Sequence, residues 1–369
     1  MASRWRVTSY LHEQSLIAGY YQDMSESFEV PTVDISAYVH DGDSASKAAV
    51  ARALDEACRT VGFIQIVGHG VPTAATDGLA SAMDDFFGQE LEAKKAWKRP
   101  AKENRGYSPP KSESLSYSLG VDPVTRMNDF FEAFNIGAAA ADFPGFIDTT
   151  GDYAANTWPD TDGFEDRVTA YFAEARRVAL TLQDAFADAL GIDRAVFGAV
   201  SDHPINVLRM NNYALPPGSI ELGAELTGMG EHTDYGLVTV LWADRVEGLQ
   251  VLGRDGRWHD VMPAPGALLV NLGDIAARVT NDEWMSTLHR VKPPIIDGTI
   301  KRRRSAAFFH DWNADAVIRT LPSILERSEP IYEPVTVAEH VQAKLRGSRA
   351  GVKNTAAVRE QERVESAAR

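Results

Sequence analysis

The sequence predicts an α+β protein, mainly β at its core, with a sandwich or barrel of the jelly-roll kind and flanking helices. Three observations lead there. Between about residues 205 and 312, short β-rich runs follow one another: INVLRMNNY, GLVTVLWA, GLQVLG, RWHDVM, GALLVNLG, STLHRVK and RRSAAFFH. Short strands at regular spacing, parted by turn residues such as Pro216-Pro217-Gly218 and Asp255-Gly256, mark such folds. Ahead of them, Phe164, Val168, Tyr171, Phe172, Ala175, Val178, Leu182 and Phe186 recur at threes and fours, the apolar stripe of a helix over 161–190. With 369 residues, 44% of them hydrophobic, the chain can bury a large core.

The earlier elements follow in order. Residues 1–28 form an N-terminal extension with no clear element. VPTVDISAYV reads as a strand, rich in β-branched residues. SASKAAVARALDEACRTVG reads as a helix capped by Ser44 or Ser46 and stopped by Gly62. FIQIVGHGVP is a short buried strand closed by a glycine turn that His69 fixes, and PTAATDGLASAMDDFFG a second helix. Residues 100–160 read as loops with short strands such as DFFEAFNIG. One structural domain is expected: a mixed region over 29–200, the β core over 201–312, and a C-terminal helix and tail over 313–369.

Charge narrows the function. A formal net charge of −15 argues against nucleic-acid binding, which needs a basic surface, and gives no help on anionic lipid. The single cysteine, Cys58, allows no intrachain disulfide and reads as a packing residue. No apolar run suits a signal peptide or a membrane span, so the expectation is a cytoplasmic protein acting on a small molecule, its oligomeric state open.

The chemistry concentrates in Gly230-Glu231-His232-Thr233-Asp234-Tyr235-Gly236. On a strand, residues i and i+2 share a face, so His232 and Asp234 can point at one metal. A third ligand must come from elsewhere, and His289 on a later strand offers it. Two imidazoles and one carboxylate on one face of an octahedron leave three positions open, the facial triad of non-haem Fe(II) oxygenases. The HxD pair alone is weak: a surface His beside an Asp capping a backbone N–H would read the same. Glu231, by the same alternation, faces away, and His259 and His310 read as structural.

Lys301-Arg302-Arg303-Arg304-Ser305 then precedes the run AAFF. As a basic run it could be a solvated turn or a nucleic-acid patch. In strand register, however, Arg303, Ser305, Ala307 and Phe309 share one face. An inward Arg303 beside Ser305 offers a carboxylate a guanidinium fork and a hydroxyl, and without an anion its burial would be costly.

With these residues in view, the chain resembles the isopenicillin N synthase-like group of 2-oxoglutarate/Fe(II)-dependent dioxygenases over roughly residues 29–345. VPTVDIS and GFIQIVGHGVP look like the group's N-terminal region; HTDYGLVTVLWADRVEGLQVL, RWHDVMPAPGALLVNLGD and NDEWMSTLHRVKPP look like its catalytic core. The resemblance implies a double-stranded β-helix, the jelly roll with helices packed on one side. It implies an HxD…H metal set at His232, Asp234 and His289 and an RxS pair for the 2-oxoglutarate C5 carboxylate at Arg303 and Ser305. Leu208-Arg209-Met210-Asn211-Asn212-Tyr213 is similar to the family's NxY element, which would bring Asn211 and Tyr213 to the same co-substrate; Asn212 stands where an aromatic is more usual. Fe(2+), 2-oxoglutarate and O2, with ascorbate as reductant, are the implied cofactors, and succinate and CO2 the by-products. The substrate would be hydroxylated, desaturated or rearranged, and a specialised metabolite is expected. Phe309, Arg105 and Tyr107 are candidate substrate residues, with the loops over 1–28 and 112–117 and the tail after 345 as further contacts. Asp234 keeps a carboxylate where halogenating relatives have a small residue.

Rival readings stay open at this point. RxS can serve a substrate carboxylate in a relative that consumes no 2-oxoglutarate. The triad could belong to a non-catalytic metal-binding jelly roll, or to a zinc hydrolase, for which no nearby general base stands out.

Overall fold

The computed structural model describes residues 28–120, 129–214, 228–296, 299–355, 357–359 and 361. The N-terminal extension to residue 27, the Pro216-Pro217-Gly218 turn and the last eight residues of the tail lie outside them.

Sixteen strands and five longer or site-forming helices concern us among the described residues. The strands are β1 (Thr32–Asp34), β2 (Phe63–Val67), β3 (Gly106–Ser108), β4 (Glu132–Gly137), β5 (Val207–Tyr213), β6 (Met229–His232), β7 (Val238–Ala243), β8 (Leu249–Leu252), β9 (Trp258–Asp260), β10 (Leu268–Leu272), β11 (His289–Val291), β12 (Ile295–Ile296), β13 (Thr299–Ile300), β14 (Arg303–His310), β15 (Val317–Ile318) and β16 (Val335–Thr336). The helices are α1 (Ser44–Thr60), α2 (Thr73–Phe87), α3 (Phe164–Leu190), α4 (Asp274–Val279) and α5 (Val337–Ala350). Every β-rich run read from the 205–312 region contains a strand, and the helix over 161–190 is α3.

Two details differ from the sequence reading. VPTVDISAYV is a strand only to Asp34, whose carboxylate takes the Ser36 backbone N–H at 2.9 Å and turns the chain into a short helix, Ser36–Val39. Helix α1 is capped by Asp43, which accepts from Ser46 N at 2.7 Å. A carboxylate one residue earlier does the capping expected of Ser44 or Ser46. Gly62, at φ +69°, ends the helix, and its backbone packs so tightly on Met285 that a Cβ would collide.

An eight-stranded sheet runs β1-β2-β10-β7-β14-β5-β4-β3, and a four-stranded sheet runs β6-β11-β8-β9. This is the two-sheeted jelly roll. The large sheet has two apolar faces because both are covered. On the outer face, Phe134, Leu208, Met210, Ala306 and Phe308 pack against α1, α2 and α3. Phe86, Phe134 and Phe164 meet there with ring centroids 4.8–5.5 Å apart. On the inner face, Phe63, Phe131, Ala133, Tyr213 and Leu269 meet Met229, Leu249, Val251 and Val291 of the small sheet. Strand alternation therefore sends odd positions of β5 and β14 into the space between the sheets and even positions to the helices. Cys58 is buried in the helical layer, where burial pushes its thiol up and leaves it inert.

Because Phe134 sits at the centre of that aromatic cluster with no exposed surface, Phe134→Ala should cost about 3–5 kcal/mol of stability. Urea denaturation checks this; a loss under 1 kcal/mol would show that the helical layer is not anchored there.

Candidate active site

Strands β6 and β11 pair antiparallel with His232 directly opposite His289. Their rings lie 4.2 Å apart. Asp234 follows just beyond the end of β6, and its Oδ1 is 3.9 Å from His232 Nε2 and 3.7 Å from His289 Nε2. One ligand atom from each of the three lies within 4.8 Å of the others. The atoms not needed for a metal are already committed. His232 Nδ1 faces Gly230 O at 2.8 Å and His289 Nδ1 faces Thr287 O at 3.0 Å, which turns both Nε2 lone pairs inward. Asp234 Oδ2 accepts from Thr239 Oγ1 at 2.5 Å and Asn271 Nδ2 at 2.6 Å, leaving Oδ1 for the centre. Burial holds His232 well below its usual value, so its imidazole is neutral and ready to ligate. Neighbouring ligands about 2.1 Å from one octahedral ion sit roughly 3 Å apart, so a divalent metal needs each carboxylate–imidazole separation to close by only about 1 Å. The donor set fits iron: nitrogen, nitrogen and oxygen on one face, the other side open to a cavity.

That cavity lies between the sheets and is lined along one wall by Val207, Arg209, Asn211 and Tyr213 of β5 and along the next by Arg303, Ser305, Ala307 and Phe309 of β14. Arg303 pairs with Tyr213 and Ser305 with Asn211 across the strands. Arg303 is 2% exposed, and its NH1 reaches Ser305 Oγ at 3.2 Å. Its guanidinium lies 5.2 Å from the Tyr213 ring centre, and its Nε has no hydrogen-bond partner. No carboxylate among the described residues pairs with it. The other two arginines of the basic run face the helices: Arg302 and Arg304 share Asp84 at 2.5 and 2.8 Å. A third carboxyl, Asp311, lines the cavity; burial, reinforced by the charge on Asp234, pushes it up to about 7.

Of the residues expected from the sequence, the structure brings His232, Asp234, His289, Arg303, Ser305, Asn211, Tyr213 and Phe309 to one cavity. It does not bring Arg105 or Tyr107. The Arg105 guanidinium is used on the carbonyls of Asn104 and Ala138, at 3.1 and 2.7 Å. The Tyr107 hydroxyl donates to Glu132, itself paired with the buried Lys94 at 2.7 Å. Both residues are spent on holding β3 and β4 in place. Asn212 also faces away, donating to Glu132 at 2.8 Å, which explains why no aromatic is needed there. His69 fixes its turn as expected, through Gly266 O and Val71 N, and His310 is held by Asn206 and Gln183. Sequence reasoning missed Thr239, Asn271, Arg209 and Glu113. A signal existed for both Asn271 and Arg209: Asn271 is the one polar residue of a strand buried on both faces, and Arg209 is a charged residue at an inward position of another such strand.

A jelly roll carrying this triad and an unpaired inward arginine defines a non-haem Fe(II) oxygenase. Comparison with known proteins agrees. The family model "non-haem dioxygenase in morphine synthesis N-terminal" matches residues 30–161, and that of the "2OG-Fe(II) oxygenase superfamily" matches residues 205–311. The chain is 32% identical to the 2-oxoglutarate-Fe(II) type oxidoreductase hxnY of Emericella nidulans over 86% of its length and 90% of that protein's. It is 30% identical to clavatol oxidase claD of Penicillium crustosum over 87% and 97%. Among solved structures it is similar to a full-length Neurospora crassa protein in complex with alpha-KG and thymine, with TM-score 0.74, 27% identity, and coverage of 87% and 97%. The chain belongs to the 2OG-Fe(II) oxygenase superfamily, in its isopenicillin N synthase-like family. It is an enzyme that uses Fe(2+), 2-oxoglutarate and O2 to oxidise a small molecule.

The groups that orient metal ligands commonly matter ten- to a hundredfold in metal affinity. We therefore expect Thr239→Val and Asn271→Leu each to weaken Fe(II) binding by about that factor, read by competition against a chromophoric chelator. Affinity equal to the parent's in both variants would show that Asp234 needs no such support.

Proposed function

We propose that His232, Asp234 and His289 hold the ferrous ion, that Arg303 and Ser305 grip the C5 carboxylate of 2-oxoglutarate, and that Asn211 and Tyr213 flank it. The observation that carries this reading is Arg303: a guanidinium 2% exposed, lining the cavity, with no carboxylate partner among the described residues. An unpaired buried cation is expensive, and a dicarboxylate that bridges it to the metal removes the expense. Bound together, iron, 2-oxoglutarate and O2 supply the oxidation, in which the oxoacid becomes succinate and CO2 and the substrate loses hydrogen from a C–H bond.

The chain's own part is positional. Gly230 O and Thr287 O fix the two imidazoles, and Thr239 and Asn271 fix the carboxylate. Phe63 packs edge-on against His289 at 5.3 Å, and Leu241 of the large sheet and Leu249 and Val291 of the small one line the same cavity, which limits water at the centre. Phe309 stands four residues beyond Ser305 on the same face, where it would meet the substrate rather than the oxoacid. Hydroxylation, desaturation or ring rearrangement of a specialised metabolite all need this arrangement. The net charge of −15 supports a free small molecule over a phosphate polymer. No helix among the described residues is long and apolar enough to cross a membrane. The cytoplasm is the proposed place of work, since the reaction draws on a water-soluble oxoacid.

The test is succinate formation by the Fe(II) protein given 2-oxoglutarate and a panel of candidate small molecules. Arg303→Ala should weaken 2-oxoglutarate binding by two orders of magnitude or more, about 3 kcal/mol, since it removes one side of a buried charge pair. Ser305→Ala should cost about 1 kcal/mol, roughly fivefold. Titration of 2-oxoglutarate reads both, and unchanged affinity in Arg303→Ala would move the oxoacid elsewhere.

A further inference from the structure

The cavity has a second polar end. On β5, two residues before Asn211 on the same face, Arg209 lies opposite Ala307 and beside Asn135 of β4. Strand geometry puts this roughly 13 Å along the wall from Arg303. Here Glu113 enters from the loop before the turn Leu115–Leu119, and Arg349 from the last turn of α5. A backbone bond, Ser114 N to Ser348 O at 2.8 Å, holds the two segments together and sets these side chains next to each other.

The hydrogen-bond account at this end does not close. Arg209 is satisfied: NH2 donates to Glu113 Oε2 at 2.9 Å, Nε donates to Asn211 at 3.0 Å, and the guanidinium stacks on Phe131 at 5.1 Å. Glu113 Oε1 has no partner, and neither has Arg349 Nε. They are 3.7 Å apart, too far for a hydrogen bond, on side chains only 5% and 9% exposed. Asn135 donates to Asn104 at 2.8 Å and leaves its Oδ1 unpartnered. All three orphans belong to residues that line the cavity. Native structures seldom leave buried polar atoms without partners, so a set of them on residues that line one cavity points to a ligand.

Two acceptors and one donor specify what that ligand offers. Burial alone would raise the Glu113 carboxyl, but Arg209 and Arg349 outweigh it and hold it below the usual range, so it stays an anion that only accepts. A ligand carboxylate would meet that anion head-on. A neutral group carrying an N–H beside a C=O would give its proton to Glu113 and accept from Arg349. Leu115, Val207 and Phe309 on the cavity wall suit the apolar body of a ring. We infer that the primary substrate is a lactam, imide or carboxamide whose N–H/C=O edge is read by Glu113 and Arg349. This deepens the oxygenase reading above and rests on it: the substrate edge lies at one end of the β5–β14 wall and 2-oxoglutarate at the other.

The test is calorimetry on the full chain loaded with 2-oxoglutarate and Ni(II), a redox-inert metal, without oxygen. The probes are 2-pyridone, uracil and benzamide, with benzoate and anisole as controls. At least one of the three amide-type probes should bind tenfold or more tightly than either control. Glu113→Gln, which keeps the shape but replaces the acceptor-only carboxylate, and Arg349→Met should each reduce that affinity tenfold or more. Arg349→Met decides the matter alone if Glu113→Gln does not fold. Benzoate binding as well as the amides, or amide affinity unchanged in both variants, would overturn the inference. A parent that binds 2-oxoglutarate but none of the three amides overturns it while leaving the oxygenase site intact. A parent that fails to bind 2-oxoglutarate overturns both.

Discussion

His232 and His289 occupy facing positions in an antiparallel pair of strands, and much of the site follows from that register. Facing residues on such a pair have Cβ atoms about 5 Å apart on the same side of the sheet. Two imidazoles set there can share one ion, and a one-residue bulge separates their pair from the Met229–Val291 pair. A slip of one residue would send one of them to the opposite face and break the site completely. The register is protected by apolar packing: Met229 and Val291, at the other end of the same pair, both sit in the inner core. The third ligand needs no strand. Asp234 follows once β6 has ended, and its carboxylate is drawn to the two imidazoles by donors from β7 and β10. The small sheet therefore contributes the nitrogens, and the large sheet aims the oxygen.

The same period of two sorts the charges of β14. Arg302 and Arg304 point to the helical side, where Asp84 and Asp244 neutralise them in half-exposed pairs worth little in stability. Arg303 points inward, where no such carboxylate waits among the described residues. Alternation along the strand thus sends three consecutive arginines to two different environments. A helix through the same residues would have spread them around its circumference.

The parts of the site legible in the sequence are those that depend on this alternation. HxD, RxS and the Asn211–Tyr213 pair are all i, i+2 patterns; strand geometry turns the last two into shared faces, whereas Asp234 lies just past the end of β6 and is held beside His232 by Thr239 and Asn271. The β-rich runs and α3 were legible because their apolar periods are long and uninterrupted. Arg105 and Tyr107 were misplaced for the opposite reason. Nothing local says whether an arginine or tyrosine in a loop faces a cavity or ties down a neighbour, and here both tie down β3 and β4. The N-cap of α1 went to Asp43 instead of a serine because any of Asp43, Ser44 and Ser46 could have served, and the choice was made by φ and ψ rather than by residue type. Glu113 and Arg349 lie far apart in the chain, and they meet only because the C-terminal helix packs on the Leu115–Leu119 turn, with Ser114 N bonded to Ser348 O and Asn354 to Tyr117 and Ser118.

That last contact bears on the role of the C-terminal helix. Val341, Leu345, Ser348 and Arg349 fall on one face of α5 and line the cavity, so the helix is one of its walls. It is fastened beside the metal ligands by Asp274, a buried carboxylate at the start of α4. Asp274 takes Lys344 of α5 at 2.6 Å and Ser286 at 2.8 Å, three residues before His289. Its backbone N–H donates to Asp234 O at 2.8 Å, and Lys344 reaches on to Thr233, between the two ligands of the HxD pair. A buried ion pair of this kind is weak evidence for added stability, because desolvation offsets most of the attraction. Its effect here is geometric. Through its backbone N–H and its carboxylate, this one residue touches the segment carrying His232 and Asp234, the segment leading to His289, and the helix that closes over the substrate end, so the wall and the ligands are tied to each other. Selectivity at Glu113 and Arg349 and chemistry at the metal are then set by one arrangement, although the residues involved are spread from residue 113 to residue 349 of the chain.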